Sequence, residues 1–337
     1  MAARVSFGRR EWLYVLRRTG HSLIRVRLID SAAALTFFSA ITLFPGALAV
    51  LSAFALGRGD NAAIGLVQDV TAQVVGADAG RIVREALEQL TRSDNPGWTL
   101  TIGIVLLLST ASAYATAFGR ATNTFYGVQE GRRIWKFRGL MIIVAAILIA
   151  GMAVAIPLLM GTPTVAAAAA DVLGIGEPWI TVWSVGRWPV LIALGSALIA
   201  LLYFWTPTIE RQSVPLFSWG SLIALIGWGI ATGLFVFYVT RFAHYGETYG
   251  WLGGALVLLL WLYLSNFVIL LGAVLDAEIV RMRQLLDGIP SEEVIKVPMR
   301  DTARNLVIAR SLAADEREGR EIREAADRLR HGEARHL

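Results

Sequence analysis

The sequence predicts an all-α membrane protein with six transmembrane helices, and three observations predict it. Six stretches contain no Asp, Glu, Lys, Arg or His: residues 31–57, 98–118, 139–160, 188–205, 216–240 and 251–275. Hydrophobic residues make up 55% of the 337 residues, and charged residues make up only 17%. Lysine and arginine are concentrated in alternate connecting segments, as in multi-pass membrane proteins.

Each apolar stretch is about as long as one bilayer crossing. A helix rises ~1.5 Å per residue, so roughly 20 residues cross a hydrocarbon core of ~30 Å. In lipid the backbone must satisfy its own hydrogen bonds, so each stretch is expected to be a helix. The sequence therefore divides into an N-terminal segment (1–30), a six-helix transmembrane domain (31–285) and a charged tail (286–337).

The positive charges orient the predicted helices. With a cytoplasmic N-terminus, 25 of the 31 Lys and Arg residues lie inside and 6 lie outside. Without the tail the division is still 13 against 6. The positive-inside rule therefore predicts that both termini are cytoplasmic.

Several chemistries have no support in the sequence. There is no cysteine, no GxxxxGK[ST] phosphate-binding loop and no HExxH, and the four histidines are scattered. These absences argue against a disulfide framework, nucleotide hydrolysis and a local metal motif. We expect no cofactor, no nucleic-acid partner and no enzymatic activity.

The N-terminal segment alternates arginine with apolar residues over positions 7–29, which predicts an amphipathic helix. Such a helix suits the anionic cytoplasmic leaflet, as a juxtamembrane anchor or as a specific lipid site. Asp30 follows it and is a candidate either for capping the first membrane helix or for a role in gating or transport.

Pro45 lies in the middle of the first apolar stretch and is followed by Gly46. Proline removes one helical hydrogen bond, so we expect a kink that serves either packing or a transport path. The first outer loop, residues 58–96, has helical periodicity that predicts two short amphipathic helices.

The second predicted cytoplasmic segment, residues 119–138, combines cations with aromatic residues. Tyr126 and Trp135 are suited to the headgroup level. This composition indicates either interfacial anchoring or recognition of phosphate headgroups. The candidate headgroup ligands are Arg132, Arg133, Lys136 and Arg138.

Asn266 carries the only side-chain amide in any of the six stretches. A buried amide seeks an interhelical partner, so Asn266 predicts either a helix contact or part of a substrate path. Asp276 and Glu278 follow the last stretch and are candidates for gating, with Arg281 and Arg283 as basic neighbours. Beyond Pro298, alternating Arg and acidic residues predict a solvated helix that could also dock a soluble partner.

Three elements of this chain resemble the YihY/BrkB family of bacterial membrane proteins, once labelled ribonuclease BN. The first is Asp30 with the apolar stretch that contains Phe44 and Pro45. The second begins Asn123-Thr124-Phe125-Tyr126-Gly127 and continues into the basic loop. The third is WLYLSNFVILLGAVLDAEI, with Gly272 and the closing acidic pair. The resemblance implies a multi-pass protein of the bacterial inner membrane and adds Asn123 and Tyr126 to the candidate transport or gating residues.

Together these features favour transport or flipping of a lipid or another amphiphile, because the spans contain no charge for a bare ion. The expected partners are membrane lipids, including anionic headgroups. A non-transporting envelope assembly or scaffold protein is the alternative. The oligomeric state and the substrate do not follow from the sequence.

Overall fold

The computed structural model describes residues 7–56, 95–160, 178–210, 218–242 and 251–333, together with Glu85 and Gln89 as isolated helical positions. These ranges contain eight helices: α1 (Arg9–Arg25), α2 (Leu28–Leu56), α3 (Pro96–Tyr126), α4 (Ile134–Met160), α5 (Pro178–Trp205), α6 (Trp219–Phe242), α7 (Trp251–Leu286) and α8 (Ala303–Glu333). The predicted helices of the first outer loop lie outside the described residues, apart from those two positions.

Helices α2 to α7 are long and apolar enough to cross a membrane, which confirms the six predicted spans. Their ends differ from the apolar stretches, because hydropathy marks the part of a helix suited to lipid and not the point where the helix stops. Helix α3 continues past residue 118 to Tyr126, and α5 already begins at Pro178. Helix α7 has 36 residues, roughly 54 Å, so it is much longer than the ~30 Å hydrocarbon core.

Helices α3 and α7 are the central elements of the bundle. Helix α3 contacts α2, α4, α5 and α7, and α7 contacts α1, α2, α3 and α6. Helix α7 approaches α6 closely at Gly272 and Gly220. A methyl group added to Gly272 would lie 2.6 Å from Ala224 Cβ and 2.7 Å from the Gly220 carbonyl oxygen. Glycine therefore allows these two helices to touch backbone to backbone, as in other membrane bundles.

Helices α1 and α2 are joined by a turn of two residues, Val26 and Arg27. Arg27 has a positive φ of 50°, which is uncommon for a residue with a Cβ atom. The Arg27 amide donates to the Ile24 carbonyl, and the Ser31 amide donates to the Arg27 carbonyl. This turn fixes α1 to within two residues of the start of a membrane span.

Four segments meet at one end of the bundle, which we call the basal end: α1, residues 127–133, residues 206–210 and residues 287–302. Backbone hydrogen bonds join Glu210 to Pro298 and Arg300 to Thr208, each at 2.8 Å, and Arg304 to Gly131 at 3.0 Å. An isolated antiparallel bridge pairs Ile209 with Met299.

Residues 287–302 therefore form a strap across the basal end. Ile295 of this strap is buried in the main hydrophobic core. Helix α8, which follows, is mostly exposed. The segment assigned to the charged tail thus contains a packed strap and an exposed helix.

Candidate functional site

Three membrane helices are joined by one network of uncharged polar side chains, which we call the interior network: Ser39 of α2, Tyr114 of α3 and Asn266 of α7. The Tyr114 hydroxyl donates to Asn266 Oδ1 at 3.0 Å. Asn266 Nδ2 donates to Ser39 Oγ at 3.2 Å and to the Leu262 carbonyl at 2.9 Å. Asn266 is 4% exposed, so its amide lies inside the bundle and makes the interhelical contacts expected of it.

Pro45 lies on the same helix as Ser39, about two turns further along, and is buried. Helix α2 runs through it from Leu28 to Leu56. Proline has no N–H to donate, so the carbonyl four residues earlier loses its usual helical partner. A methyl group added to Gly103 of α3 would lie 3.1 Å from the backbone nitrogen of Ala49, so α2 packs closely on α3 one turn beyond Pro45.

At the basal end, Asn123 joins the end of α3 to the segment after α5. Its Oδ1 accepts from the Thr208 amide at 2.8 Å, and its Nδ2 donates to Glu130 Oε2 at 3.0 Å. Asn123 also accepts the Val128 amide with its carbonyl, at the left-handed Gly127 that ends the helix. The side chain predicted as a gating residue thus holds two connecting segments together.

Arg132 lies in the same basal region and is buried. Its guanidinium donates to both oxygens of Glu130 at 2.7 and 2.8 Å and to the Thr206 carbonyl at 2.6 Å. It also stacks on Phe137, with Cζ 4.8 Å from the ring centre. Arg132 is therefore not available on the surface as a headgroup ligand, because its charge is used inside the protein.

The charge of Glu130 depends on this arrangement. Burial alone would raise the pKa of Glu130, but the hydrogen bonds and positive charge of Arg132 outweigh burial and lower it below the ordinary value of 4.5. A lowered folded-state pKa stabilises the fold at pH values above 4.5, and this contribution is lost as the pH falls through the folded-state value.

We expect acidification below pH 4.5 to reduce thermal stability by protonating Glu130 and weakening its pair with Arg132. The measurement is the unfolding midpoint of the purified protein as a function of pH. Below pH 4.5 the unfolding midpoint of Glu130→Gln should fall less steeply than that of the parent chain. An equal fall in the variant and the parent chain would show that other carboxylates cause the acid destabilisation.

Four exposed residues of segment 119–138 lie at the start of α4, and we call them the rim: Arg133, Trp135, Lys136 and Arg138. Trp135 is 87% exposed. These side chains precede the apolar part of a membrane span, where tryptophan and cations commonly sit at the lipid–water interface.

Glu278 of α7 is the centre of a second basal group, the Glu278 cluster, formed with Ser22, Arg18 and Arg25 of α1 and with Arg281. Arg281 Nε lies 2.9 Å from Glu278 Oε2, and Arg18 Nε lies 3.3 Å from the same oxygen. Ser22 Oγ donates to Oε1 at 2.9 Å, and Arg25 Nη2 lies 4.0 Å from that oxygen. The pairing with Arg281 was expected from the sequence, whereas the two arginines of α1 were not.

The remaining candidates are separate from one another. Asp30 is exposed and lies in the first turn of α2, which begins at Leu28 and thus before the predicted start of the span. It favours the helix dipole from there but does not occupy the N-cap position. Tyr126 is buried in the main core. The Cβ and Cγ atoms of Asp276 face Gly220 of α6. Asp276 and Glu278 lie on different sides of α7, because residues two apart do not share a helix face.

Sequence reasoning missed several partners that complete these groups. Glu130 is the only carboxylate in residues 119–138 and lies two residues from Arg132, so a local signal existed. Arg300, which donates to the Phe204 and Ile209 carbonyls at 2.8 and 2.9 Å, had no such signal. Among the described residues, no group of three or more His, Cys, Asp or Glu side chains could hold a metal ion.

Comparison with known proteins agrees with this architecture. Residues 21–294 match the family described as Virulence factor BrkB. The chain belongs to the BrkB family. The match covers α2 to α7 and ends inside the strap, so α8 lies beyond it.

Relatives of this BrkB-family chain include ribonuclease-like protein YfkH of Bacillus subtilis, 30% identical over 77% of this chain and 93% of YfkH. A UPF0761 membrane protein of Ralstonia nicotianae is 28% identical over 80% of this chain and 59% of its own length. One from Photobacterium profundum is 25% identical over 80% and 81%. This chain thus spans less than two thirds of the Ralstonia protein. No solved structure matches.

Proposed function

We propose that this BrkB-family protein moves a lipid or another amphiphile across the bacterial inner membrane. The observation that carries the proposal is the interior network of Ser39, Tyr114 and Asn266, which places hydrogen-bonding groups among three membrane helices. The proposal includes an orientation in which the basal end faces the cytoplasm, in agreement with the distribution of Lys and Arg.

The chemistry of the interior network supports an amphiphilic cargo. A lipid headgroup that crosses the hydrocarbon core needs hydrogen-bonding partners, because unpaired polar groups are costly there. Hydroxyl and amide groups can exchange partners with a headgroup without burying an additional protein charge. Pro45 leaves the Ile41 carbonyl of α2, two residues after Ser39, without its helical donor.

The rim supports an anionic headgroup at the basal side. Arg133, Lys136 and Arg138 are exposed beside Trp135 at the start of a span. Cations at this depth attract anionic lipids by ~1 kcal/mol each. The rim would concentrate such lipids beside the bundle, while Arg132 holds the adjoining loop in place.

The test is transbilayer movement of a fluorescent phosphatidylglycerol in vesicles that contain the purified full chain. We expect Asn266→Leu and Tyr114→Phe to slow this movement roughly tenfold, a barrier change of about 1.4 kcal/mol. Helix hydrogen bonds of this kind contribute only about 0.6 kcal/mol to stability on average, so both variants should fold.

Thr101→Val is the matched control, because the Thr101 hydroxyl is exposed and bonds the Gly97 carbonyl of its own helix. It should move lipid at the parent rate. If all three variants match the parent chain, the interior network has no part in transport.

A second candidate function is that of an envelope assembly or scaffold protein, and exposed α8 favours it. Leu306, Val307, Leu312 and Ile322 of this charged helix are each more than half exposed. Such side chains on a mostly solvated helix are suited to docking a soluble partner.

Deleting residues 303–337 separates the two functions, because the cut follows the strap and leaves most of its contacts intact. We expect unchanged lipid movement and a free energy of unfolding within about 0.5 kcal/mol of that of the parent chain. Loss of a co-purifying partner together with intact lipid movement would assign docking to α8. Loss of lipid movement would instead make α8 part of the transport machinery.

We propose no enzymatic activity and no cofactor for this chain. The name of YfkH mentions a ribonuclease, but nuclease chemistry requires acid–base or metal-binding groups gathered at one place. The carboxylates of Glu130 and Glu278 are instead paired with arginine. RNA cleavage that survives stringent purification of the full chain would overturn this proposal.

A further inference from the structure

The Glu278 cluster contains more positive charge than its partners neutralise. Three guanidinium groups, those of Arg18, Arg25 and Arg281, surround one carboxylate. Among the described residues, no other carboxylate lies within ion-pair distance of these three. The cluster therefore has a net charge of about +2, although Arg281 is nearly inaccessible and Arg18 is only 24% exposed at its side chain. The buried charges of Arg281 and Glu278 cancel, so the excess positive charge belongs to Arg18 and Arg25 at the partly exposed edge, where it attracts an anion.

Two of the three arginines are fixed by the protein, and one is open. Arg281 Nη1 donates to the Ser291 carbonyl at 2.6 Å, and Arg18 Nη2 donates to the Glu292 carbonyl at 2.5 Å. Arg25 contacts Ser22 and Glu278 through Nη2, and its side chain is 54% exposed. The buried Nε of Arg18 lies near Glu278 but donates no hydrogen bond. An anion that approaches Arg25 from solvent would thus meet an open, positively charged edge.

Apolar side chains share the exposed side of α1 with Arg17. Leu13, Leu16 and Ile24 lie along one exposed face of α1, at 58%, 56% and 86% exposure. The opposite face packs through Val15 on Leu275 and Ile279 of α7. Because the α1–α2 turn has two residues, Ile24 of this face lies next to the start of α2. Acyl chains can cover such a face while the headgroup reaches the adjacent cations.

We propose that the Glu278 cluster, with the exposed face of α1, is a binding site for the phosphate of an anionic membrane lipid. Arg25 is the direct ligand, and Arg18 and Arg281 supply the field behind it. Glu278 holds the arginines together and limits the affinity by neutralising one of them. The site is distinct from the interior network, so lipid can bind here whether or not the protein transports lipid.

The experiment is native mass spectrometry of the full chain titrated with dioleoyl-phosphatidylglycerol, with dioleoyl-phosphatidylcholine as the reference without net charge. We expect Arg25→Gln to weaken phosphatidylglycerol binding about tenfold and to leave phosphatidylcholine unchanged. Arg10→Gln, which removes an exposed charge of the same helix roughly 22 Å from Arg25, should have little effect. Glu278→Gln should strengthen binding, although it removes a polar contact from the cluster.

Three results would overturn the site. If Arg25→Gln and Arg10→Gln weaken binding equally, the lipid is attracted to the whole basic surface and not to this site. If Arg25→Gln binds phosphatidylglycerol as tightly as the parent chain, Arg25 is not a ligand. This conclusion does not depend on whether Glu278→Gln folds. If inorganic phosphate displaces phosphatidylglycerol at the same concentration as the lipid, the site binds a free anion. None of these results depends on lipid movement, so this proposal and the proposed function can fail separately.

Discussion

Replacing Glu278 with glutamine is expected to destabilise the protein by about 3–5 kcal/mol, the usual effect of removing one partner from a buried ion pair. Glu278 is 3% exposed and Arg281 is 2% exposed. Without the carboxylate, three guanidinium groups would repel one another at the junction of α1 and α7. The measurement is the free energy of unfolding of the purified protein, followed by circular dichroism in a neutral detergent.

The control is Glu293→Gln in the strap, which removes the same charge from an exposed side chain and should change stability by no more than about 0.5 kcal/mol. Phosphatidylglycerol should partly restore the Glu278→Gln variant, because the proposed ligand replaces the lost negative charge. Equal stability of the two variants would show that the ion pairs at Glu278 contribute little to the fold.

Arg132→Ala is expected to lower the free energy of unfolding by a similar amount, about 3–5 kcal/mol. The substitution removes both side-chain hydrogen bonds to Glu130 and the bond to the Thr206 carbonyl. The Glu130 carboxylate, whose side chain is only 12% exposed, is left without its cation. It should therefore loosen residues 127–133 from the end of α5. Amide hydrogen exchange of the basal segments, together with the unfolding midpoint, measures both effects.

Arg133→Ala is a matched control in the next residue. Its side chain is exposed, so stability should change by no more than about 0.5 kcal/mol, whereas association with anionic vesicles should weaken. If Arg132→Ala has the stability of the parent chain, the buried guanidinium does not hold the basal end together.

The transmembrane architecture could be predicted because lipid imposes it on local sequence. The absence of charge over about 20 residues is visible without any tertiary information. The ends of α3 and α7 could not be read in this way, since residues 119–126 and 276–286 continue the helices after the apolar stretch ends. Their polar side chains are stabilised by α1, the strap and the segment after α5, which are distant in sequence.

The candidate site was predictable only in part, for the same reason. Asn266 is an isolated amide in an apolar helix, so its need for partners was evident, but the identity of Ser39 and Tyr114 required the packing of α2 and α3. Arg132 and Arg133 look alike in the sequence. Only the fold separates them, because Glu130 and the Thr206 carbonyl draw one inward and leave the other on the surface.

Vesicles of phosphatidylglycerol and phosphatidylcholine, reconstituted with increasing amounts of the full chain, provide the most direct test of the proposed function. The measured quantity is the fraction of headgroup-labelled phosphatidylglycerol in the outer leaflet that a membrane-impermeant reductant quenches over time. We expect transbilayer movement to accelerate with the number of protein molecules per vesicle, and to slow in Asn266→Leu at equal reconstitution. Movement at the rate of protein-free vesicles, at every protein-to-lipid ratio with correctly folded protein, would contradict lipid translocation.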